Sequence, residues 1–233
     1  MPPILILTGF EPFRGERINP SWEIARSLDG DVIGGLQIKS VRVPVGCAKA
    51  ARRITGAIVR YRPRAVIGLG EAGGRPAISL ERIAINLADE RGTLASSGDP
   101  GMTAVVRGGP DAYFSRLPLS RIIRELDRKD IPASVSLTAG AYACNALMYA
   151  ALHNLRRKPS IPVGFIHLPY EARQAGRHRS LPSMPLATMV SAIRIAIAGT
   201  PAEARCGRTK NGRDRPVRSL PACGWRDRAS FPI

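Results

Sequence analysis

Aromatic residues are scarce in this chain, at 5% of the sequence, and acidic residues are outnumbered by basic ones, 18 against 35. A surface built to read single-stranded nucleic acid interleaves aromatic faces with cations so that bases can stack. Here the arginines are scattered and no stretch combines the two. The net charge of +17 therefore implies incidental adhesion to nucleic acid by counterion release, not dedicated recognition. An apolar run of the roughly 18–20 residues that cross a bilayer is also missing, which argues against a membrane protein. The N-terminus, Met1, Pro2 and Pro3 ahead of an apolar run over 4–7, lacks the basic flank and cleavage site of a signal peptide. Both absences point to the cytoplasm.

Cysteine is sparse as well. Cys47, Cys144, Cys206 and Cys223 lie far apart, form no CxxC pair and have no histidine at ligand spacing, so neither a disulfide framework nor a zinc site is suggested. In a reducing compartment they are free thiols, each either a small buried hydrophobe or chemically active.

What is present is enough apolar residue, 44% of 233, for one sizeable α/β core. Residues 4–7 form a short apolar run stopped by Thr8 and Gly9, as expected of a strand buried on both faces. Asn19 followed by Pro20 predicts an N-cap and first helical position, with the helix running to Leu28. Period-two patterning predicts a strand over 36–43, and helical spacing a helix over 48–59. Further strands are expected over 65–69, 78–87, 133–137 and 163–168, and helices over 120–129, 144–155 and 185–198. Residues 88–118 are too long for an idle connection and are read as a functional flap or an oligomer contact. Strands alternating with helices indicate an α/β fold with a mainly parallel sheet covered on both faces. Residues 1–200 make one domain on this reading. Residues 201–233, with seven arginines and one lysine against three acids and no apolar periodicity, read as a basic, disordered tail. Cys206 and Cys223 within it are either a partial metal pair or incidental.

Chemistry concentrates in two places. The stretch TAGAYACN at 138–145 follows a strand, turns at Gly140 and delivers Cys144 to the start of a helix. There the helix dipole and backbone N–H groups favour a thiolate and receive an oxyanion. His167 ends the next strand, at the carboxyl edge where doubly wound sheets gather ligands, and is placed to be the base for Cys144. A histidine in an apolar run is also commonly a satisfied core residue. Glu81 stands inside another apolar strand, where a carboxylate is costly unless paired. It either orients the imidazole or forms a salt bridge to Arg82 or another arginine. The glycine-rich GEAGGR at 70–75 matches neither the Walker nor the dinucleotide spacing.

These residues, taken with TGFEPF at 8–13, NPS at 19–21, ERIAIN at 81–86, GPDAYFSRLP at 109–118 and FIHLP at 165–169, resemble the motifs of the pyroglutamyl peptidase I (pyrrolidone-carboxylate peptidase) family of cysteine peptidases. The resemblance runs in order over roughly residues 3–198. It implies a three-layer α/β/α sandwich around a mainly parallel twisted sheet, no metal, no cofactor and a homo-oligomer, commonly a tetramer. It implies removal of an N-terminal pyroglutamyl residue from peptides through a thioester, with Cys144 as nucleophile, His167 as base and Glu81 orienting it. Arg91 is implied near the cysteine, to stabilise the oxyanion. Phe10 and Phe13 are implied to hold the lactam ring and Tyr142 to complete the slot, with Asn19 and Glu71 bordering the same pocket. Without the resemblance, Phe10 and Phe13 read as ordinary core. Three residues depart from the pattern: Glu71 stands for a usual glutamine, Tyr142 for a phenylalanine and Arg14 for a glycine. Rival readings are a cysteine amidohydrolase on another small cyclic or capped amide, and a basic binding protein on a degenerate hydrolase fold. A purine-phosphorylase-like enzyme is a third, but it leaves Cys144, His167 and Glu81 without a role.

Overall fold

The structure is a computed structural model and describes residues 2–90, 102–174 and 180–201. The chain runs β1 (Ile4–Phe10), α1 (Pro20–Ser27), β2 (Val32–Ile33), β3 (Leu36–Val43), α2 (Cys47–Tyr61), β4 (Ala65–Glu71) and β5 (Ile78–Ile85). It continues through β6 (Ala88–Asp89), β7 (Met102–Thr103), β8 (Ala112–Phe114), α3 (Leu119–Asp127), β9 (Ala133–Thr138) and α4 (Ala143–Asn154). It ends with β10 (Val163–Leu168), β11 (Tyr170–Glu171), a 3-10 turn (Ala172–Gln174), β12 (Ser183–Met184) and α5 (Leu186–Gly199). Every strand and helix that periodicity predicts is present, with ends moved by no more than three residues.

Alternation along the strands sorts the side chains into two cores. Leu5 and Leu7 of β1, Ala65, Ile67 and Leu69 of β4, and Ile166 and Leu168 of β10 face one side, where they pack with Ile24 of α1, Ile122 of α3 and Ile193 of α5. Their neighbours Ile6, Val66, Val163 and Phe165 face the other side, against Ile54 of α2 and Leu147 of α4. A sheet buried on both faces needs near-continuous apolar strands, which is why β1 and β4 are almost wholly buried. The result is the expected α/β/α sandwich, with α1, α3 and α5 on one face and α2 and α4 on the other.

The main sheet has the order β2-β3-β1-β4-β10-β5-β8, with β9 also paired to β5. The pairs β1–β3, β1–β4, β4–β10 and β5–β9 are parallel; β5 runs antiparallel to β10 and β8, and β2 antiparallel to β3. The antiparallel entry of β5 was not visible in the sequence, because it depends on which distant strand β5 joins. Its consequence is functional. Antiparallel register sets His167 opposite Ser79, so Glu81, two residues along β5, lies within reach of the imidazole.

Asn19 caps α1 as expected: its Oδ1 accepts from the Ser21 N–H at 3.1 Å and from the Ser21 hydroxyl at 2.7 Å. The long segment after β5 is only partly a candidate flap, since residues 91–101 lie outside the described residues and the remainder is fastened down. The Asn86 side chain accepts from Val106 N–H and donates to the carbonyls of Val106 and Gly109. The Tyr149 hydroxyl donates to the Pro110 carbonyl at 2.6 Å. A Cβ at Gly109 would sit 2.5 Å from that hydroxyl, so only glycine allows this approach. The expected tail falls on residues of which all after 201 lie outside the described part.

Candidate active site

Strands β1, β4 and β10 run parallel, and their carboxyl ends deliver Phe10, Gly70 with Glu71, and His167 to one edge of the sheet. This is the crevice where α/β sheets bind ligands. Cys144 reaches the same edge from β9. After Thr138 the chain turns at Gly140, whose φ of 74° suits glycine, and Cys144 becomes the second residue of α4. Asn145 anchors the helix start: its Oδ1 accepts from Ile85 N–H and its Nδ2 donates to the carbonyls of Ile85 and Leu87, all at 2.9 Å. Tyr142, at the N-cap, supplies no side-chain acceptor, so the first-turn N–H groups keep their partial positive charge for an incoming ligand.

Two glycines on β4 make room for Phe165 and the Cys144 thiol. A Cβ at Gly68 would fall 2.3 Å from the Phe165 ring, and one at Gly70 would fall 2.8 Å from that ring and 2.9 Å from Cys144 Sγ. Gly70 is also the register partner of His167. The thiol therefore rests on bare backbone beside the histidine, and both line one cavity of about 700 Å³.

His167 is buried and its Nδ1–H donates to Glu81 Oε1 at 2.7 Å. A carboxylate accepts only, so this bond fixes the tautomer and leaves Nε2 as the basic nitrogen. Arg75 donates to the same Oε1 at 2.8 Å. The two sequence readings of Glu81 therefore hold together: it orients the imidazole and it pairs with an arginine, although that arginine is Arg75. Arg82 instead lies over the Phe114 ring at 5.2 Å. Burial works against the Glu81 carboxylate, but the bond and charge of His167, then Ser136 and Arg75, hold its pKa below the ordinary value. Ser136, its register partner on β9, contributes although its hydroxyl is committed to the Thr138 carbonyl at 3.2 Å and Oε2 carries no well-formed hydrogen bond.

The thiol differs from expectation. Burial, followed by the Glu81 carboxylate and Cys47, pushes Cys144 up to about 12, against the opposing Arg75 charge and the backbone N–H. The helix terminus that should favour a thiolate is outweighed by desolvation. His167 moves the other way, held below its ordinary value by burial and Arg75 against the pull of Glu81. Both shifts favour the uncharged forms of the pair.

Phe10, Phe13, Asn19, Glu71 and Tyr142 line the cavity with Cys144 and His167; Glu81 lies behind His167, fully buried, and Arg91 lies outside the described residues. Phe10 is both wall and core, with its ring 6.5 Å from that of Phe165. Phe13 is half-buried, and the Arg14 guanidinium stands 5.9 Å over its ring. Arg14 has a φ of 52°, the region glycine prefers. Asn19 Oδ1 is committed to Ser21, and one N–H of its Nδ2 donates to the Glu11 carbonyl at 3.2 Å. Glu71 Oε2 accepts from the buried Gln174 amide at 2.8 Å, and that amide also reaches Glu16 at 3.4 Å.

Sequence reasoning missed Arg75, Cys47, Tyr170 and Glu90, which also line the cavity. The only signal for Arg75 was the need of Glu81 for a cation. Burial, then Glu90 and Asp89, push the Cys47 thiol up to about 11. Among the described residues no group of three or more His, Cys, Asp or Glu is placed to hold a metal ion.

A thiol at a helix start, a tautomer-fixed histidine and a buried carboxylate, all at the carboxyl edge of an α/β/α sandwich, define a cysteine hydrolase. The comparisons narrow the class. The profile of the pyroglutamyl peptidase family matches residues 4–203. A pyrrolidone-carboxylate peptidase of Cupriavidus taiwanensis is 44% identical over 198 residues, covering 84% of this chain and 92% of that one, and one of Klebsiella pneumoniae is 45% identical, covering 83% and 91%. The crystal structure of pyroglutamyl peptidase I from Bacillus amyloliquefaciens superposes with a TM-score of 0.78 at 39% identity, covering 86% of this chain and 95% of that one. The chain belongs to the pyroglutamyl peptidase family.

Proposed function

We propose that this protein is a cysteine peptidase that hydrolyses the amide bond after an N-terminal pyroglutamyl residue. The observation that carries the reading is Cys144 resting on Gly70, beside a His167 whose Nδ1–H is held by Glu81 at 2.7 Å. In the proposed reaction, the Cys144 sulfur attacks the pyroglutamyl carbonyl as its proton passes to His167 Nε2. The first-turn N–H groups of α4 receive the oxyanion, assisted by Arg91. The imidazolium, stabilised by Glu81, gives its proton to the departing amine and leaves a thioester. Water, deprotonated by the same nitrogen, then cleaves the thioester and restores the thiol. A wall made by Phe10, Phe13 and Tyr142 suits an uncharged lactam, and a site that bonds the ring N–H and C=O rejects open-chain residues.

Release of a fluorophore from a pyroglutamyl amide under reducing conditions tests this reading. Wild-type turnover blocked by iodoacetamide, with Cys144→Ala and His167→Ala each reduced by on the order of 10⁴-fold or more, is the expected result. Folded wild-type protein that hydrolyses prolyl or other capped amides but no pyroglutamyl amide would instead favour an altered substrate.

Three further properties belong to the proposal. Residues 1–200 are the catalytic unit, supported by a family match that stops at 203, so truncation after 201 should leave turnover unchanged. A cytoplasmic location is supported by free thiols at Cys47 and Cys144, and by the finding that among the described residues no helix is long and apolar enough to cross a membrane; cell fractionation tests it. A homotetramer is supported by the apolar side chains that β8 and β9 expose, Phe114 at 62%, Val135 at 46% and Leu137 at 71%.

A further inference from the structure

Helix α2 begins with no cap of its own. Its N-cap residue, Gly46, has no side chain and sits at φ 128°, so the first N–H groups of α2 have no local acceptor. The acceptor comes from 43 residues away. Glu90 Oε2 accepts from Cys47 N–H at 3.0 Å, and Glu90 Oε1 accepts from Ala48 N–H at 2.5 Å. A carboxylate placed so satisfies two helix-terminal donors and complements the helix dipole. Because it belongs to another segment, it turns a local cap into a tether between the start of α2 and the end of β6.

The tether closes a junction beside the nucleophile. Asp89 N–H donates to the Ala141 carbonyl at 2.8 Å, binding β6 to the turn that carries Cys144. The Cys47 thiol contacts the carbonyls of Asp89 and Ala141 at 3.7 and 3.6 Å. Val45, Gly46 and Cys47 form one stretch of the cavity wall, which Phe10 and Phe13 also line. On the outer side, Val45 N–H donates to Glu11 Oε1 at 3.1 Å. Glu90 is thus the clasp that draws this wall against the nucleophile turn, while Cys144 itself is held independently through Asn145.

We infer that Glu90 is a positioning residue, which sets the width of the substrate slot by holding the first turn of α2 to the end of β6 without taking part in the chemistry. This inference rests on the pyroglutamyl reading above. A wall that relaxes weakens ground state and transition state alike, which raises KM and spares kcat.

The test compares wild type, Glu90→Ala and Glu90→Gln on a pyroglutamyl amide, alongside amide hydrogen exchange at Cys47 and Ala48. In Glu90→Ala, KM is expected to rise about fivefold. In that variant kcat should stay within about twofold and both amides should exchange faster. Glu90→Gln keeps one acceptor oxygen, so its KM should fall between the other two. A folded Glu90→Ala with wild-type KM overturns the inference, and so does a fall in kcat with KM unchanged. If Glu90→Ala does not fold, Glu90→Gln decides by the same split, and a wild-type KM there also overturns it. Failure of the pyroglutamyl reading is separate, because it appears as no turnover by the wild type; the exchange rates then still decide whether Glu90 holds α2.

Discussion

Glu81 shows how a single residue can be legible and still incompletely read. A carboxylate in an apolar strand announces that it has partners, because an unpaired one would be severely penalised. The sequence could name His167 among them but not Arg75, since nothing in a glycine-rich turn says where its arginine points. With both partners in place, the proton chemistry has a definite sign. His167 is held below its ordinary value near 6.5, so it remains neutral and basic down to more acidic pH than a free histidine. The acid limb of kcat/KM should therefore lie below pH 6.5, with activity rising as His167 loses its proton. Glu81→Gln removes the group that pulls the His167 pKa upward, so that limb should move further toward acid, while kcat falls by on the order of 10²- to 10⁴-fold as the tautomer and the imidazolium lose their support. A pH–rate profile of both proteins checks this, and an acid limb that moves toward alkali in the variant would contradict the assignment. Stability follows the same direction. Below 6.5 the unfolded chain binds a proton at His167 that the folded chain does not, so acid destabilises the fold there, and loss of the Glu81 contribution follows at pH below its unfolded value of 4.5.

At the scale of elements, most of the fold was written in period. Strand β3 and helices α1 and α2 could be read from apolar spacing alone, because each has a face that must be buried. The direction of β5 and the attachment of residues 102–118 could not, because both depend on register with distant segments. Strand β4 combines what periodicity shows with what it hides. Its apolar positions mark it as buried, but the alternation of Gly68 and Gly70 marks more than a weak strand. These are the positions where Phe165 and Cys144 press on the backbone. Gly70→Ala would place a methyl group 2.9 Å from the sulfur and 2.8 Å from the Phe165 ring, closer than packed carbon and sulfur atoms tolerate. The thiol must then move, and a displacement near 1 Å at a reacting atom costs about 10²-fold in rate. Activity should fall by that order with KM little changed and with Cys144 still present to titration by a thiol reagent under denaturing conditions. A Gly70→Ala enzyme with wild-type kcat would show that the sulfur does not need that space.

At the scale of the molecule, two features pull in opposite directions. A chain of net charge +17 repels its own copies at low ionic strength, whereas β9, which exposes Val135 and Leu137, and β8, which exposes Phe114, invite them together, since exposed apolar sheet edges are templates for association. Salt separates these effects. Added salt screens repulsion between copies and leaves apolar burial intact, so the proposed tetramer should become more complete as ionic strength rises from about 10 mM to several hundred millimolar. Adhesion to nucleic acid should do the reverse, because counterion release weakens with salt. Sedimentation across such a series, with and without a short duplex, would show the two trends crossing. Leu137→Lys adds charge at the most exposed apolar position of β9, which is not among the residues lining the cavity, so it should shift the population toward smaller species at every salt concentration while each subunit keeps its turnover. If the distribution of species in Leu137→Lys matches that of the wild type throughout, association does not use β9, and the apolar edge needs another explanation.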